Sequence, residues 1–201
     1  MNKKIISYAK HKIFNNELKA ISKVLKSNYL TQGPKTSEFE DKIKDYCESK
    51  YAVAVNSATS ALHISCMLYK LKPTDIVWTS PNSFVASANC VLYCGAKIDF
   101  VDIDPKTYNI SIKNLEDKLL KAKTKKLLPK IVIVVHHGGN PVDLKRVYQL
   151  SKLYKFKIIE DASHALGSKF EDSRIGSCKY SDLTIFSFHP IKTITSCEGG
   201  M

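Results

Sequence analysis

The six cysteines (Cys47, Cys66, Cys90, Cys94, Cys178 and Cys197) include no Cys-x-x-Cys pair. That absence removes support for a zinc knuckle, and with no secretory leader to read, a disulfide framework is unsupported as well. Cys90 and Cys94 share one helical face, but no histidine or carboxylate is placed to complete a site, so they read as core and no metal is expected. No apolar run is long enough to span a bilayer, and the apolar start at Ile5 and Ile6 is broken by Ser7, Lys10, His11 and Lys12. A soluble, cytoplasmic chain with reduced thiols is the expectation. Internal repeats, low-complexity tracts and linkers are also missing, so the 201 residues read as one large domain.

Charge is what the chain has in excess. The 31 Lys+Arg against 19 Asp+Glu give +12, a balance that raises the question of nucleic acid or another anionic partner. The basic residues are spread singly along helical stretches, densest over residues 113–130, and no nucleic-acid motif accompanies them. They read as solvated faces, with neither nucleic acid nor membrane as a partner.

Hydrophobic periodicity predicts two amphipathic helices near residues 17–26 and 37–47, joined by a loop punctuated by Gly33-Pro34. Alternation then begins. Strand-like runs at 51–55, 76–79, 97–102, 130–135, 156–160 and 183–188 are mostly separated by helical patterns near 60–71, 85–94, 112–123 and 144–154. This order implies an α/β three-layer sandwich around a mostly parallel sheet, whose ligands gather outside the carboxyl ends of the strands. Between 168 and 177 a hairpin excursion replaces the expected helix.

Several residue types with chemistry to offer follow those strands. Lys192, in Ser187-Phe188-His189-Pro190-Ile191-Lys192, comes after the last apolar run, and Asp161 ends the one before it. An amine and an acid at one sheet rim are what pyridoxal phosphate requires: one to form a Schiff base, the other to keep the pyridine nitrogen protonated. The segment Asn56-Ser57-Ala58-Thr59-Ser60-Ala61-Leu62 opens a helix with hydroxyl and small residues, which suits either a phosphate cup or simple capping. Phe84 follows the 76–79 strand, where its ring can stack on a flat ligand or fill the core. His164 lies three residues past Asp161, and His136-His137-Gly138-Gly139 forms a further loop at a strand end that reads as pocket lining.

Through Tyr29-Leu30-Thr31-Gln32-Gly33-Pro34, the 56–62 segment, Glu160-Asp161-Ala162-Ser163-His164-Ala165 and Phe186-Ser187-Phe188-His189-Pro190-Ile191-Lys192, the sequence from Tyr8 to Met201 resembles the sugar-nucleotide aminotransferases of the fold-type I pyridoxal phosphate superfamily. The resemblance implies the large cofactor-binding domain of that fold. Lys192 would be the catalytic Schiff-base lysine, Asp161 the partner of the ring nitrogen, Phe84 the stacking ring and His164 its neighbour. Thr59, Ser60 and Ser187 would bind phosphate, with the backbone at Ala58 close by. Tyr8, Asn28, Tyr29, Leu30, Thr31 and His189 would line the sugar-nucleotide site.

The resemblance is strongest to the branch that aminates C4 of a UDP-linked 4-keto-6-deoxy-N-acetylhexosamine, with L-glutamate as donor. Another UDP- or dTDP-linked 4-keto sugar is the alternative. Related dehydratases carry histidine in place of the Schiff-base lysine, and Lys192 argues against them. Cys197 and His137 depart from the family's usual residues. The family also continues past Glu198-Gly199-Gly200 into a small C-terminal domain and works as a homodimer. Residues 1–201 are therefore expected to be the N-terminal segment and most of the large domain, inactive alone, and a silent cofactor-binding or partner-binding module is the non-enzymatic alternative.

Overall fold

The computed structural model describes residue 7 and residues 11–201. Its centre is a five-stranded, all-parallel sheet in the order β2-β1-β3-β4-β7, built from β1 (Ile76–Thr79), β2 (Lys97–Phe100), β3 (Ile131–Val135), β4 (Lys157–Asp161) and β7 (Leu183–Ile185). A two-stranded antiparallel hairpin, β5 (Lys169–Phe170) with β6 (Ser173–Arg174), fills the last crossover where the sequence predicts it.

Strand β3 shows why the sheet must be covered twice. Ile131 and Ile133 point to one face and Val132 and Val134 to the other, and all four are fully buried. The first face packs on α3 (Ala58–Leu68) and α4 (Ala86–Tyr93) through Leu62, Cys66, Cys90 and Val91. The second packs on α5 (Ile112–Lys125) and α6 (Leu144–Tyr154) through Leu115, Leu119, Val147 and Leu150, joined by Ile43 and Cys47 of α2 (Pro34–Cys47). The result is the three-layer sandwich expected from the alternating pattern.

Local signals set the helix starts. Ser111 Oγ accepts from the Asn114 N–H at 3.2 Å to open α5, and Asp143 Oδ1 accepts from the Arg146 N–H at 3.0 Å to open α6. Pro34 sits in the first turn of α2, where its missing N–H costs nothing. The first helix, α1 (Asn15–Leu25), buries none of its residues, and Leu18, Ile21 and Leu25 remain exposed.

Two expected strands are changed. Among the described residues, 51–55 form no strand and only Val55 pairs, in an antiparallel bridge with Gly200. Beyond Ile185 the last run leaves its parallel partner and turns to the chain's final residues, Phe186 exchanging hydrogen bonds with Met201 at 2.8 and 3.1 Å and Ser187 bridging Gly200. Gly200 is thus clasped between Val55 and Ser187. Both changes arise because the ladder partner of each segment is the antiparallel stretch 199–201 instead of a neighbouring parallel strand.

Candidate active site

The strand order reverses between β1 and β3, since β2 lies on one side of β1 and β3 on the other. Outside the carboxyl ends of these strands, where such a reversal opens a crevice, lies a cleft of about 240 Å³. Ser83 and Phe84 reach it from β1, Val135 and His136 from β3, Asp161, Ser163 and His164 from β4, and Ser187, His189 and Lys192 from the loop after β7.

Asp161 closes β4 and is buried, so its carboxylate needs donors. Ser163 Oγ donates to Oδ1 and Ser87 Oγ donates to Oδ2, each at 2.6 Å, and the Ser163 N–H adds a longer bond of 3.2 Å to Oδ1. An acid held this firmly is a fixed negative charge at the floor of the cleft.

Lys192 is half-buried opposite it. Burial pushes its amine below the usual lysine range, while the charge of Asp161 pulls in the other direction. Its Nζ lies 2.8 Å from His164 Nε2. His164 is in turn pushed below the ordinary histidine value, first by burial and then by the Lys192 charge, with Asp161 opposing. An unprotonated Nε2 accepts a hydrogen bond from the lysine ammonium.

The opening of α3 forms the cleft's third wall. Ser57 is extended, with φ −163° and ψ 157°, and its Oγ accepts from the Ser60 N–H at 3.1 Å. The Ser60 hydroxyl turns to the same oxygen, so Ser60 serves the cap and does not line the cleft, whereas Ser57, Ala58 and Thr59 do. A helix start with a hydroxyl on either side of it favours a phosphate. Phe84 stands 73 % exposed at the cleft, its ring face free for a planar partner.

The structure thus gathers Ala58, Thr59, Phe84, Asp161, His164, Ser187, His189 and Lys192 around one cleft. Asn28, Tyr29, Leu30 and Thr31 lie in the exposed turn between α1 and α2 and do not line it, and Tyr8 lies outside the described residues. His137 stands in a short turn with its ring 5.8 Å from Tyr108, and Cys197 is exposed. Sequence reasoning passed over Ser87, Ser83 and Ser163; only Ser163 carried a signal, its place two residues past the acid. Among the described residues no cluster of His, Cys, Asp or Glu could hold a metal ion, and Cys90 packs its sulfur 3.7 Å from that of Cys66.

A parallel sheet bearing a lysine, a buried acid and a hydroxyl-rich helix start at one rim is the fold of the large domain of the fold-type I aminotransferases. Within that class, the chain belongs to the DegT/DnrJ/EryC1/StrS aminotransferase family, whose sequence profile matches residues 11–201. It is 42% identical over 196 residues to the UDP-4-amino-4,6-dideoxy-N-acetyl-beta-L-altrosamine transaminase of Campylobacter jejuni, covering 98% of this chain and 50% of that relative. It is 32% identical over 201 residues to the UDP-4-amino-4-deoxy-L-arabinose–oxoglutarate aminotransferase of Shewanella sediminis, covering all of this chain and 50% of that one.

Among solved structures, PseC of Helicobacter pylori, an aminotransferase involved in the biosynthesis of pseudoaminic acid, superposes with a TM-score of 0.85 at 33% identity over 98% of this chain and 51% of its own. The pyridoxal phosphate form of the sugar aminotransferase Spr1654 of Streptococcus pneumoniae superposes at 0.86 and 29% identity over 97% and 52%. The chain spans about half the length of the relatives it matches. The family's cofactor is pyridoxal phosphate, and the donor set here fits it: a buried acid for the ring nitrogen, a half-buried amine for the aldehyde and a hydroxyl-rich helix start for the phosphate.

Proposed function

We propose that this chain forms the cofactor-binding part of a sugar-nucleotide aminotransferase that moves the amino group of L-glutamate to C4 of a UDP-linked 4-keto-6-deoxy-N-acetylhexosamine. The product would be UDP-4-amino-4,6-dideoxy-N-acetyl-beta-L-altrosamine, on the route to pseudaminic acid. The observation that carries the reading is the Lys192 amine and the doubly hydrogen-bonded Asp161 in one cleft, in a chain 42% identical to a transaminase of that product. A cytoplasmic location suits the free thiols among its cysteines, and a homodimer is what the family resemblance implies.

Pyridoxal phosphate, when bound, supplies an aldehyde carbon open to an amine and a ring that withdraws electrons. Lys192 would supply the amine. Its lowered pKa keeps a larger share of Nζ neutral and nucleophilic near neutral pH than an exposed lysine would have. Once free again, Nζ is the base that would carry a proton to and from C4 of the sugar. His164 Nε2, at 2.8 Å, holds that amine on the cleft side and takes part of its proton's charge.

Asp161 would face the ring nitrogen as a charge fixed in advance, so no reorganisation is needed when electrons move toward the ring. Ser57, Thr59 and Ser187, with the start of α3, would hold the phosphate and thereby fix where the aldehyde sits. Phe84 would cover the ring face and keep water from it.

The test is turnover by the intact gene product with L-glutamate and the UDP-linked 4-keto-6-deoxy-N-acetyl-altrosamine, followed by NMR of the sugar. The 4-amino product with the C4 configuration of UDP-4-amino-4,6-dideoxy-N-acetyl-beta-L-altrosamine, with matching 2-oxoglutarate, is expected. Turnover only with the 4-keto pentose acted on by enzymes like the Shewanella relative would overturn the substrate, and no amino transfer to any 4-keto sugar nucleotide would overturn the reading altogether.

A further inference from the structure

Ser87 lies in the first turn of α4 and is fully buried, and its hydroxyl makes an unusual choice of partner. A serine deep inside a helix can bond back to the carbonyl four residues earlier, as Ser65 does here to Ala61 O at 2.8 Å. Ser87 instead donates to Asp161 Oδ2 at 2.6 Å, across 74 residues of sequence. A hydroxyl has one hydrogen, and Ser87 has spent it on the carboxylate. The contact of 2.7 Å between Ser87 Oγ and Ser83 Oγ must therefore run from Ser83 to Ser87.

The hydrogen bonds form a directed chain, Ser83 to Ser87 to Asp161. It starts beside Phe84, in the loop after β1, and ends on the acid that closes β4. The N-cap position of α4 is Val85, which offers no hydroxyl, and Ser83, two residues before it, directs its own hydroxyl to Ser87. On its other oxygen Asp161 accepts from Ser163 at 2.6 Å. One donor on each oxygen fixes the plane of the carboxylate, a broad and easily turned torsion when only one side is held.

We propose that Ser87 is a positioning residue for cofactor binding and amino transfer: it fixes the rotation of the Asp161 carboxylate and, through Ser83, ties it to the loop that carries the Phe84 ring. This rests on the cofactor reading of the cleft. The acid and the aromatic platform belong to different strands, and the serine pair is the polar link that holds their spacing. Without it, Asp161 keeps only the Ser163 side, and the Phe84 loop loses its tie to the sheet rim.

The experiment compares Ser87→Ala, Ser87→Thr and Asp161→Asn in the intact gene product. Three quantities are read: the dissociation constant of pyridoxal phosphate from apoprotein by fluorescence titration, kcat against KM for L-glutamate, and the melting temperature of the apoprotein. Loss of one hydrogen bond to a charged group predicts ten- to hundredfold weaker cofactor binding for Ser87→Ala, on the order of its ordinary worth. A lower kcat with KM for L-glutamate within about twofold is expected beside it.

Ser87→Thr, which keeps the hydroxyl, should recover most of both losses. A Ser87→Ala protein with a lower melting temperature but wild-type cofactor affinity and kcat has lost only packing, and that result would overturn the proposal. So would a Ser87→Thr protein that melts like wild type yet is as impaired as Ser87→Ala. If Asp161→Asn also leaves affinity and kcat untouched, the failure belongs to the cofactor reading itself.

Discussion

His136 and Glu160 meet in the interior, Nε2 donating to Oε2 at 2.7 Å, with both side chains sealed from solvent. The Val142 N–H donates to His136 Nδ1 at 3.1 Å, which fixes the tautomer with its proton on Nε2. Glu160 Oε1 accepts from Ser181 and from Thr184, the latter at 2.9 Å. Glu160 and Asp161 are consecutive on β4 and so face opposite sides of the sheet: the first locks β3, β4 and β7 together, and the second is left for the cleft.

Every partner of Glu160 is a donor, so Glu160→Gln would turn an amide NH2 against an imidazole N–H or two hydroxyls. A loss of about 2–4 kcal/mol is expected from one buried donor left unpaired beside another. Urea unfolding of the apoprotein measures it. A change below about 1 kcal/mol would show that the network rearranges freely and does not set the strand ends.

On the proposed function, Lys192→Ala in the intact gene product should abolish amino transfer, with kcat falling at least about a thousandfold, because among the described residues no other amine lines the cleft to take its place. Borohydride treatment of the cofactor-loaded wild-type protein should leave a covalent label on the peptide holding Lys192, found by mass spectrometry. Label on a different lysine would remove Lys192 from its role.

The parallel core was legible because its inner strands β1 and β3 are short, apolar on both faces and set between helical periods, as strands buried in a parallel sheet are, while the edge strand β2 is mostly exposed. The run at 51–55 carries the same apolar character, but its ladder partner among the described residues is Gly200, which no local pattern can announce. Lys192 and Asp161 stood out because one follows β7 and the other closes β4, whereas the 56–62 segment follows no strand and its signal was the run of hydroxyl and small residues that opens α3. Ser87 was not, because a hydroxyl's partner 74 residues away leaves no periodic trace, and in sequence the residue looks like any helical serine. Ser60 shows the converse: its type suited a phosphate cup, yet the cap oxygen of Ser57 claims it.

The pH dependence of Lys192 follows from burial. Its folded pKa lies below the ordinary 10.5, so between the two values the unfolded chain binds more protons than the folded one and apoprotein stability rises with pH across that window. The same sign holds for His164 between its lowered value and 6.5. Reductive labelling of Lys192 by pyridoxal phosphate requires neutral Nζ, so its rising limb should lie below that of an exposed lysine. Since the charge of Asp161 raises the Lys192 value, Asp161→Asn should move the limb further toward acid. A limb at the ordinary lysine position, or one that Asp161→Asn moves toward alkali, would refute the burial argument.

Gly200 joins the last residues to the start of α3, the proposed phosphate site, by sheer proximity. It exchanges backbone hydrogen bonds with Val55, each 2.9 Å, and a Cβ built on it would stand 2.3 Å from the Ser57 carbonyl carbon and 2.4 Å from the Ala58 nitrogen. Those neighbours are backbone atoms at the start of α3, with no flexible side-chain end to swing away. Gly200→Ala must therefore push apart either the Val55 bridge or the helix start, and the cap at Ser57 moves with the latter. We expect cofactor affinity to fall by roughly tenfold or more, and the apoprotein to lose about 1–3 kcal/mol, as for overpacking elsewhere in protein interiors. Titration with pyridoxal phosphate beside urea unfolding separates the two effects. Unchanged affinity together with lost stability would mean that the Val55 bridge gives way and the start of α3 stays intact, while no change in either would show that the clasp around Gly200 is looser than its 2.3 Å approach implies.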